Sequence, residues 1–317
     1  MHAATFFDGV EWREGVVELV DGRVRLRDAV PAARSPRLSG VIVGGFTDHH
    51  VHLQLIEHSL LAGSRLGRVI DLGGNLEAVH GLAPQSVSTL FAGAFLTAPG
   101  GYPSDRSWAP EGSVREIADG ESAAAAVTEM ADAGATCIKV ASNSTAGPVL
   151  TDELFRAIVR ASAARDLPVV AHAEGAGEVR RVVHLGAARL AHAPFTERLD
   201  DDEIARQAAS ASWISTLAIH DDPERAIAID NLRRFHAAGG TVLYGTDLGN
   251  GPMPVDLNPR EVAALREAGL DDEALLRALD PVDPLSPASA LLLLPGGTSS
   301  SADPLDARPL TPADLKV

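Results

Sequence analysis

From Val41 onward the 317-residue chain repeats one rhythm: a short apolar run, a loop, then an amphipathic helix. Apolar runs fall at Val41–Gly45, Arg68–Leu72, Thr89–Phe95, Ala135–Ala141, Pro168–His172, Ala188–His192, Trp213–Ile219 and Thr241–Gly245, eight in all. Helical patterns separate the later ones. Glu121–Gly134 is Ala-rich and ends in glycine, and Thr151–Arg165 opens on the capping sequence Thr151-Asp152-Glu153. Asp222–Gly239 places Ala226, Ile229, Leu232 and Phe235 at helical spacing. Strands and helices alternating in this way imply parallel strands with helices outside them. Eight units within roughly 240 residues match an α/β fold of the (β/α)8 TIM-barrel type in count and length. The competing architecture is an open doubly wound sheet. It is disfavoured because Asp71-Leu72-Gly73-Gly74-Asn75 has the wrong glycine spacing for a phosphate-binding turn.

The flanks break the rhythm. Val16–Val20, the turn Asp21-Gly22 and Val24–Leu26 form a β-hairpin pattern, so the N-terminus reads as a small flanking β-module. After Leu279, Pro281, Pro284 and Pro287 interrupt any helix, and Ala290–Leu294 is a short apolar element. This element is expected to lead back to the N-terminal module, with Thr298–Pro309 draped over the surface. The resulting division is residues 1–39 and 283–317 for the small module and tail, and 40–282 for the barrel. Residues 98–116 have no periodicity and are expected to cover a substrate at the barrel's active face.

Composition narrows the partners. Lys and Arg number 27 against 43 Asp and Glu, a formal charge of −16, which argues against nucleic acid and anionic membrane surfaces. The single Cys137 excludes an intrachain disulfide framework. The first residues lack the basic start and apolar core of a signal peptide, and no apolar run approaches the ~20 residues needed to span a bilayer. The expectation is a cytoplasmic protein with a small-molecule substrate, for which a homo-oligomer is allowed.

In a barrel, functional side chains gather at the C-terminal ends of the strands. His50 and His52, two apart on an extended segment, point to one face and offer two nitrogens to one divalent ion, while His49 and Val51 point away. Strand four carries Lys139 inside an apolar run, strand five ends in His172, strand six in His192 and strand eight in Asp247. Singly, each has an ordinary explanation: a polar rim residue, a Lys139–Asp247 ion pair, a helix cap. Six such residues toward one end of separate strands favour a metal site.

This ordered set resembles the amidohydrolase superfamily, metal-dependent hydrolases on a (β/α)8 barrel. The resemblance covers about residues 40 to 280. The flanks Gly45-Phe46-Thr47-Asp48, Pro99-Gly100-Gly101-Tyr102 and Gly245-Thr246-Asp247 look like the branch containing imidazolonepropionase and metal-dependent Xaa-Pro dipeptidases. The resemblance implies two divalent ions, with zinc expected. His50 and His52 would hold the more buried ion, and His172 and His192 the more exposed one. Lys139 would bridge the two as a carbamate formed with carbon dioxide. It implies cleavage of an amide C–N bond in a cyclic amide, N-acyl or dipeptide-like small molecule by a metal-bridging hydroxide, with Asp247 as ligand and proton shuttle. It also suggests that Ala313-Asp314-Leu315-Lys316-Val317 is one further strand of the small module, in a C-terminal segment shorter than the family's.

Other residues carry less. Tyr102 and His220 are expected to touch substrate, and Arg106 and Trp108 to line the pocket. The run Asp200-Asp201-Asp202-Glu203 reads as a helix start whose acids complement the macrodipole. His184 and His236 fall in helical segments, and His58 and His80 have no assignable role. Alternative readings are a single-ion heterocycle deaminase with Lys139 unmodified, a lactone or phosphoester hydrolase on the same site, and a catalytically silent barrel.

Overall fold

The computed structural model describes residues 1–79, 81–82, 86–299 and 301–316. Strands β1 (His2–Phe7), β2 (Trp12–Val20), β3 (Arg23–Arg27) and β4 (Arg37–Gly44) open the chain. Ten strands follow: β5 (Phe46–Val51), β6 (Leu66–Asp71), β7 (Ser88–Phe91), β8 (Phe95–Thr97), β9 (Val114–Glu116), β10 (Ile138–Asn143), β11 (Val169–Glu174), β12 (Arg189–Leu190), β13 (Ser212–Ile214) and β14 (Thr241–Leu243). β15 (Leu291–Leu294) and β16 (Arg308–Pro309) come last.

The first and last strands share one six-stranded sheet, ordered β16-β15-β4-β1-β2-β3. The expected hairpin is present: β2 and β3 run antiparallel about Asp21 (φ 50) and Gly22 (φ 76), the left-handed pair that a two-residue turn between twisted strands requires. The apolar element after the prolines does return to this sheet. It pairs antiparallel with β4, Leu292 opposite Val43.

That pairing overturns the expected first barrel strand. Val41–Gly45 does not start the parallel array. It belongs to β4, between β1 and β15, and β5 begins immediately after Gly45. The apolar run is the same in either role, and its partner is Leu291–Leu294, far along the sequence. Gly45 permits the close passage: a Cβ there would sit 2.6 Å from the Gly67 Cα. Two more expectations need correction. Thr89–Phe95 is two strands, because Gly93 turns through φ 80, so that β7 pairs with β6 while β8 pairs with β10. Ala313–Leu315 lies in a short 3-10 helix, Pro312–Leu315, rather than a strand. His80 and Val317 lie outside the described residues.

The remaining strands form a seven-stranded parallel sheet, β14-β13-β12-β11-β10-β8-β9, and a three-stranded parallel sheet, β5-β6-β7. Backbone hydrogen bonds join both edges of the three-stranded sheet to the larger one, beside β10 and beside β14. Thr136 N–H donates to the Phe91 carbonyl at 2.9 Å, and His49 N–H to the Tyr244 carbonyl at 3.0 Å. Ile70, Leu72, Ala92, Cys137, Val170, Ala191, Ile214 and Leu243 meet in one apolar cluster drawn from both sheets.

Helices cover the outer faces. Gly120–Asp132 starts at the Asp119 cap and buries Ala123, Ala126, Val127 and Met130. Asp152–Ala163 starts at the Thr151 cap and buries Phe155 and Ile158. Asp200 caps Asp201–Ala208 by accepting the Glu203 N–H, so the acidic run is a helix start. No helix among the described residues is long and apolar enough to cross a membrane.

Helix Glu224–Ala237 is held by Phe235, which stacks on Trp213 of β13 with ring centroids 3.9 Å apart and planes 5° from parallel, both rings fully buried. The Trp213 indole N–H donates to Gln207 Oε1 at 3.0 Å, which fixes its ring plane. Phe235→Ala is expected to cost about 3–5 kcal/mol through the cavity it leaves, read as a lower midpoint in denaturant unfolding. An unchanged midpoint would show that this stack does not hold the helix to the sheet.

Candidate metal centre and its cavity

The eight residues singled out from the sequence line one cavity of about 440 Å³: His50, His52, Lys139, His172, His192, Asp247, Tyr102 and His220. β5 provides His50, and His52 stands just past its end. The register of β5 against β6 shifts between Asp48 and Val51, and His50 and His52 both face the cavity. His49 is buried elsewhere, with Nε2 3.5 Å from Asp280 Oδ2.

Backbone carbonyls orient both rings. His50 Nδ1 lies 2.9 Å from the Ala191 carbonyl and His52 Nδ1 2.8 Å from that of Gly73. A carbonyl only accepts, so Nδ1 carries a proton in each ring and Nε2 is the nitrogen left to face Asp247. Both Nε2 atoms lie 3.1 Å from Asp247 Oδ1. Ligand atoms of these three buried residues fall within 4.8 Å of one another. Despite its short distance to the carboxylate, His50 Nε2 is shut off from water and makes no aligned hydrogen bond. A buried lone pair left open beside a carboxylate fits a cation.

Asp247 sits in left-handed backbone (φ 54), a conformation that costs energy outside glycine. Its Oδ2 accepts from Asn250 Nδ2 at 2.9 Å. Two residues earlier, a Cβ on Gly245 would meet Ile214 Cγ2 at 2.3 Å and His50 Cβ at 3.2 Å, so glycine lets this strand end approach His50. Burial alone would push the Asp247 carboxyl up. The electrostatic pull of the adjoining His50 ring and the hydrogen bond from His52 outweigh it and hold the carboxyl well below its usual range. Burial, then the Lys139 charge, holds His50 well below the ordinary imidazole value. Burial also lowers His52, but the Asp247 hydrogen bond and charge raise it overall.

Three further carboxylates brace this arrangement. Asp48, wholly buried, accepts the His50 N–H at 3.0 Å, the Thr246 N–H at 3.1 Å and the Thr246 hydroxyl at 2.6 Å. Burial pushes its carboxyl up to about 7. Asp71, also raised by burial, accepts the Leu53 and Gly73 N–H groups and so fixes the carbonyl that orients His52. Glu261 accepts the Leu217 and Ala218 N–H groups at 3.0 and 2.7 Å, holding the turn before His220.

The other expected ligands stand around this triad, outside its tight grouping. Lys139 is 1% exposed, and burial lowers its ammonium to about 8. The His192 ring lies 4.8 Å from that of His50, with Nδ1 2.9 Å from Thr216 Oγ1. Burial, then the charges of His50 and His172, keeps it well below the ordinary value. His172 packs on His192 at 4.9 Å, but its Nε2 is 3.1 Å from Glu174 Oε2. Tyr102 lies over His172 at 5.2 Å, and its phenol is raised first by burial, then by the Asp247 and Glu174 charges. His220, lowered to about 4 by burial, stacks on Phe195 at 4.2 Å. Trp108 lines the cavity as expected. Arg106 does not, and lies instead over the Tyr102 ring at 5.7 Å.

Sequence reasoning assigned no role to Glu174, Asp48, Asp71, Glu261, Phe95 or Phe195. Glu174 did leave a signal: it stands two residues beyond His172, on the same face of β11.

No family model matches the sequence, and no curated protein matches it. Its fold does match solved structures, among them amidohydrolases and prolidases, over nearly the whole chain. A Xaa-Pro dipeptidase with methionine bound in its active site aligns with TM-score 0.68 at 17% identity, covering 95% of this chain and 96% of that one. Phenylurea hydrolase B aligns with TM-score 0.67 at 15% identity, covering 95% and 94%. Ochratoxinase of A. niger aligns with TM-score 0.67 at 15% identity, covering 92% and 88%. At these identities the likeness establishes a shared fold.

Zinc affinity is expected to fall as pH drops through the raised His52 value. The sign follows from His52 holding a proton in the metal-free protein that must leave when an ion binds, whereas His50 and His192 are already neutral. Competition against a chromophoric chelator between about pH 6 and 9 measures this. A pH-independent affinity would remove His52 from the ligand set.

Proposed function

We propose that this protein is a metal-dependent hydrolase that cleaves an amide C–N bond in a small molecule. The observation that carries the reading is the convergence of the His50, His52 and Asp247 donors in one cavity with Lys139, His172 and His192. The seam hydrogen bonds and the cluster enclosed between the sheets support a closed eight-stranded barrel, with β7 and β8 as two halves of one stave. The six-stranded sheet is read as a separate small module. Amidohydrolases, prolidases, ochratoxinase and phenylurea hydrolase share the fold, which supports amide chemistry in general.

In this reading His50, His52 and Asp247 hold one divalent ion, with zinc expected, and His172 and His192 hold a second. Bound ions would supply a water acidic enough to attack near neutral pH and a Lewis acid for the carbonyl. Lys139 would join them as a carbamate. Its buried amine, lowered to about 8, is unprotonated often enough to add to carbon dioxide, releasing a proton and leaving an anion with two ligand oxygens. That replaces a buried ammonium, which is unfavourable beside cations.

The chain's own residues handle positioning and protons. Asp247 is ionised and held by Asn250, so it can take the attacking water's proton and deliver it to the leaving nitrogen. Tyr102 keeps its proton as a donor to substrate, and neutral His220, whose buried Nε2 has no partner, lines the same cavity. Phe95 and Trp108 add apolar faces to the lining, with Trp108 6.0 Å from the Tyr102 ring. The cavity volume suits a small molecule. A single-ion reading, as in a heterocycle deaminase, gains support from the engagement of His172 with Glu174. One ion per chain with Lys139 as a free amine would select it.

Asp247→Asn is expected to lower turnover of a hydrolysed amide by more than the ~10²–10⁴-fold typical of a lost proton-transfer group, while most metal stays bound. Rate, metal content and melting curve are measured on the same sample. Near-normal turnover with a lowered melting temperature would mean that Asp247 is structural. In zinc-loaded protein supplied with carbon-13 bicarbonate, a carbamate resonance is expected that Lys139→Ala lacks. Its absence at full metal occupancy would exclude the carbamate.

A further inference from the structure

The cavity wall has an electrical asymmetry that the proposed chemistry does not require. Beyond the six expected ligands, the only charged side chain among its described lining residues is Glu174. That carboxylate is fixed in place. Its Oε2 accepts from Asn143 Nδ2 at 2.6 Å and lies 3.1 Å from His172 Nε2, and its Oε1 lies 3.2 Å from Thr145 Oγ1, a hydroxyl shared with Asn143 Oδ1 at 2.7 Å. Asn143 is itself anchored, since its Oδ1 accepts the Thr145 and Ala146 N–H groups. The Glu174 side chain keeps 26% of its surface open, so a bound molecule can reach it. The rings of Phe95, Tyr102, Trp108 and Phe195 line the same cavity.

No arginine lines the cavity among the described residues, and its one lysine, Lys139, is buried beneath the histidines. Arg106, on the Tyr102 loop, is paired with Asp105 at 3.3 Å and lies over the Tyr102 ring instead. A substrate with a free carboxylate therefore meets a fixed like charge and no guanidinium clamp, the usual bidentate partner of such groups. A substrate with a protonated amine or a strong N–H donor meets a preset acceptor in a cavity lined by aromatic faces.

We propose that Glu174 makes this cavity selective for aromatic or cyclic amides carrying a cationic or N–H-donor group, and against substrates with a free carboxylate. The inference rests on the metal-hydrolase reading above and narrows its substrate class.

The test uses zinc-loaded protein and three ligands that share one metal-seeking end: benzohydroxamate and its 4-aminomethyl and 4-carboxy derivatives. Affinities are measured by calorimetry. The aminomethyl compound is expected to bind at least about tenfold more tightly than the carboxy compound, the scale of one charge-assisted hydrogen bond. Glu174→Gln should bring that ratio toward one while leaving the parent compound within about threefold of its wild-type affinity. Equal or tighter binding of the carboxy compound to wild type would overturn the inference, and this comparison stands even if the variant fails to fold. A folded Glu174→Gln protein with an unchanged ratio would overturn it too. Failure of all three compounds to bind would overturn the metal-site reading, and this inference with it.

Discussion

Asp48 has no contact with water, yet it accepts three hydrogen bonds at once, from the His50 backbone and from the backbone and hydroxyl of Thr246. Its neighbours on either side belong to segments separated by nearly two hundred residues. One carries His50 and His52, the other Asp247. A buried carboxylate is costly to leave unsatisfied, so the chain gains most when those two segments meet in one register. The three ligand atoms that could hold an ion come together as a consequence. Asp71 and Glu261 act in the same way at neighbouring strand ends, fixing the Gly73 carbonyl and the turn before His220.

The result is a site whose geometry is set before anything binds. The Nδ1 atoms of His50, His52 and His192 are each occupied by a partner outside the cavity. Their remaining nitrogens are thus committed to the interior, and burial keeps His50 and His192 uncharged. His172 differs, since its Nε2 rests on Glu174. Side chains fixed in this way lose little conformational freedom when a group binds between them, which is the physical advantage of anchoring them at strand ends.

Much of this was legible in the sequence because strand periodicity and residue chemistry are local. The order His50, His52, Lys139, His172, His192, Asp247 needed only the strand ends to be located within a residue or two. What failed was non-local. Val41–Gly45 is as apolar as any strand of the parallel array, and only its pairing with Leu291–Leu294 shows that it lies in the other sheet. The break at Gly93 divides one apolar run because the strands on its two sides pair with different neighbours, β7 with β6 and β8 with β10. Glu174 looked like an ordinary polar strand end, since the partners that fix it, Asn143 and Thr145, lie on and just after another strand. Ala313–Leu315 carries no signal separating a strand from a tight helical turn.

The direct passage from β4 into β5 has a consequence for how the molecule is made. β4 is flanked by β1, which precedes it in the chain, and by β15, which is synthesised only after all the parallel strands. Until β15 arrives, β4 presents an open edge of backbone donors and acceptors, and only Gly45 separates that edge from the strand bearing His50. During synthesis the small sheet therefore stays unfinished while the parallel strands are already available to fold, and its long-range closure comes as a late, slow step. The nascent chain is most vulnerable to edge-to-edge pairing with other copies in that interval.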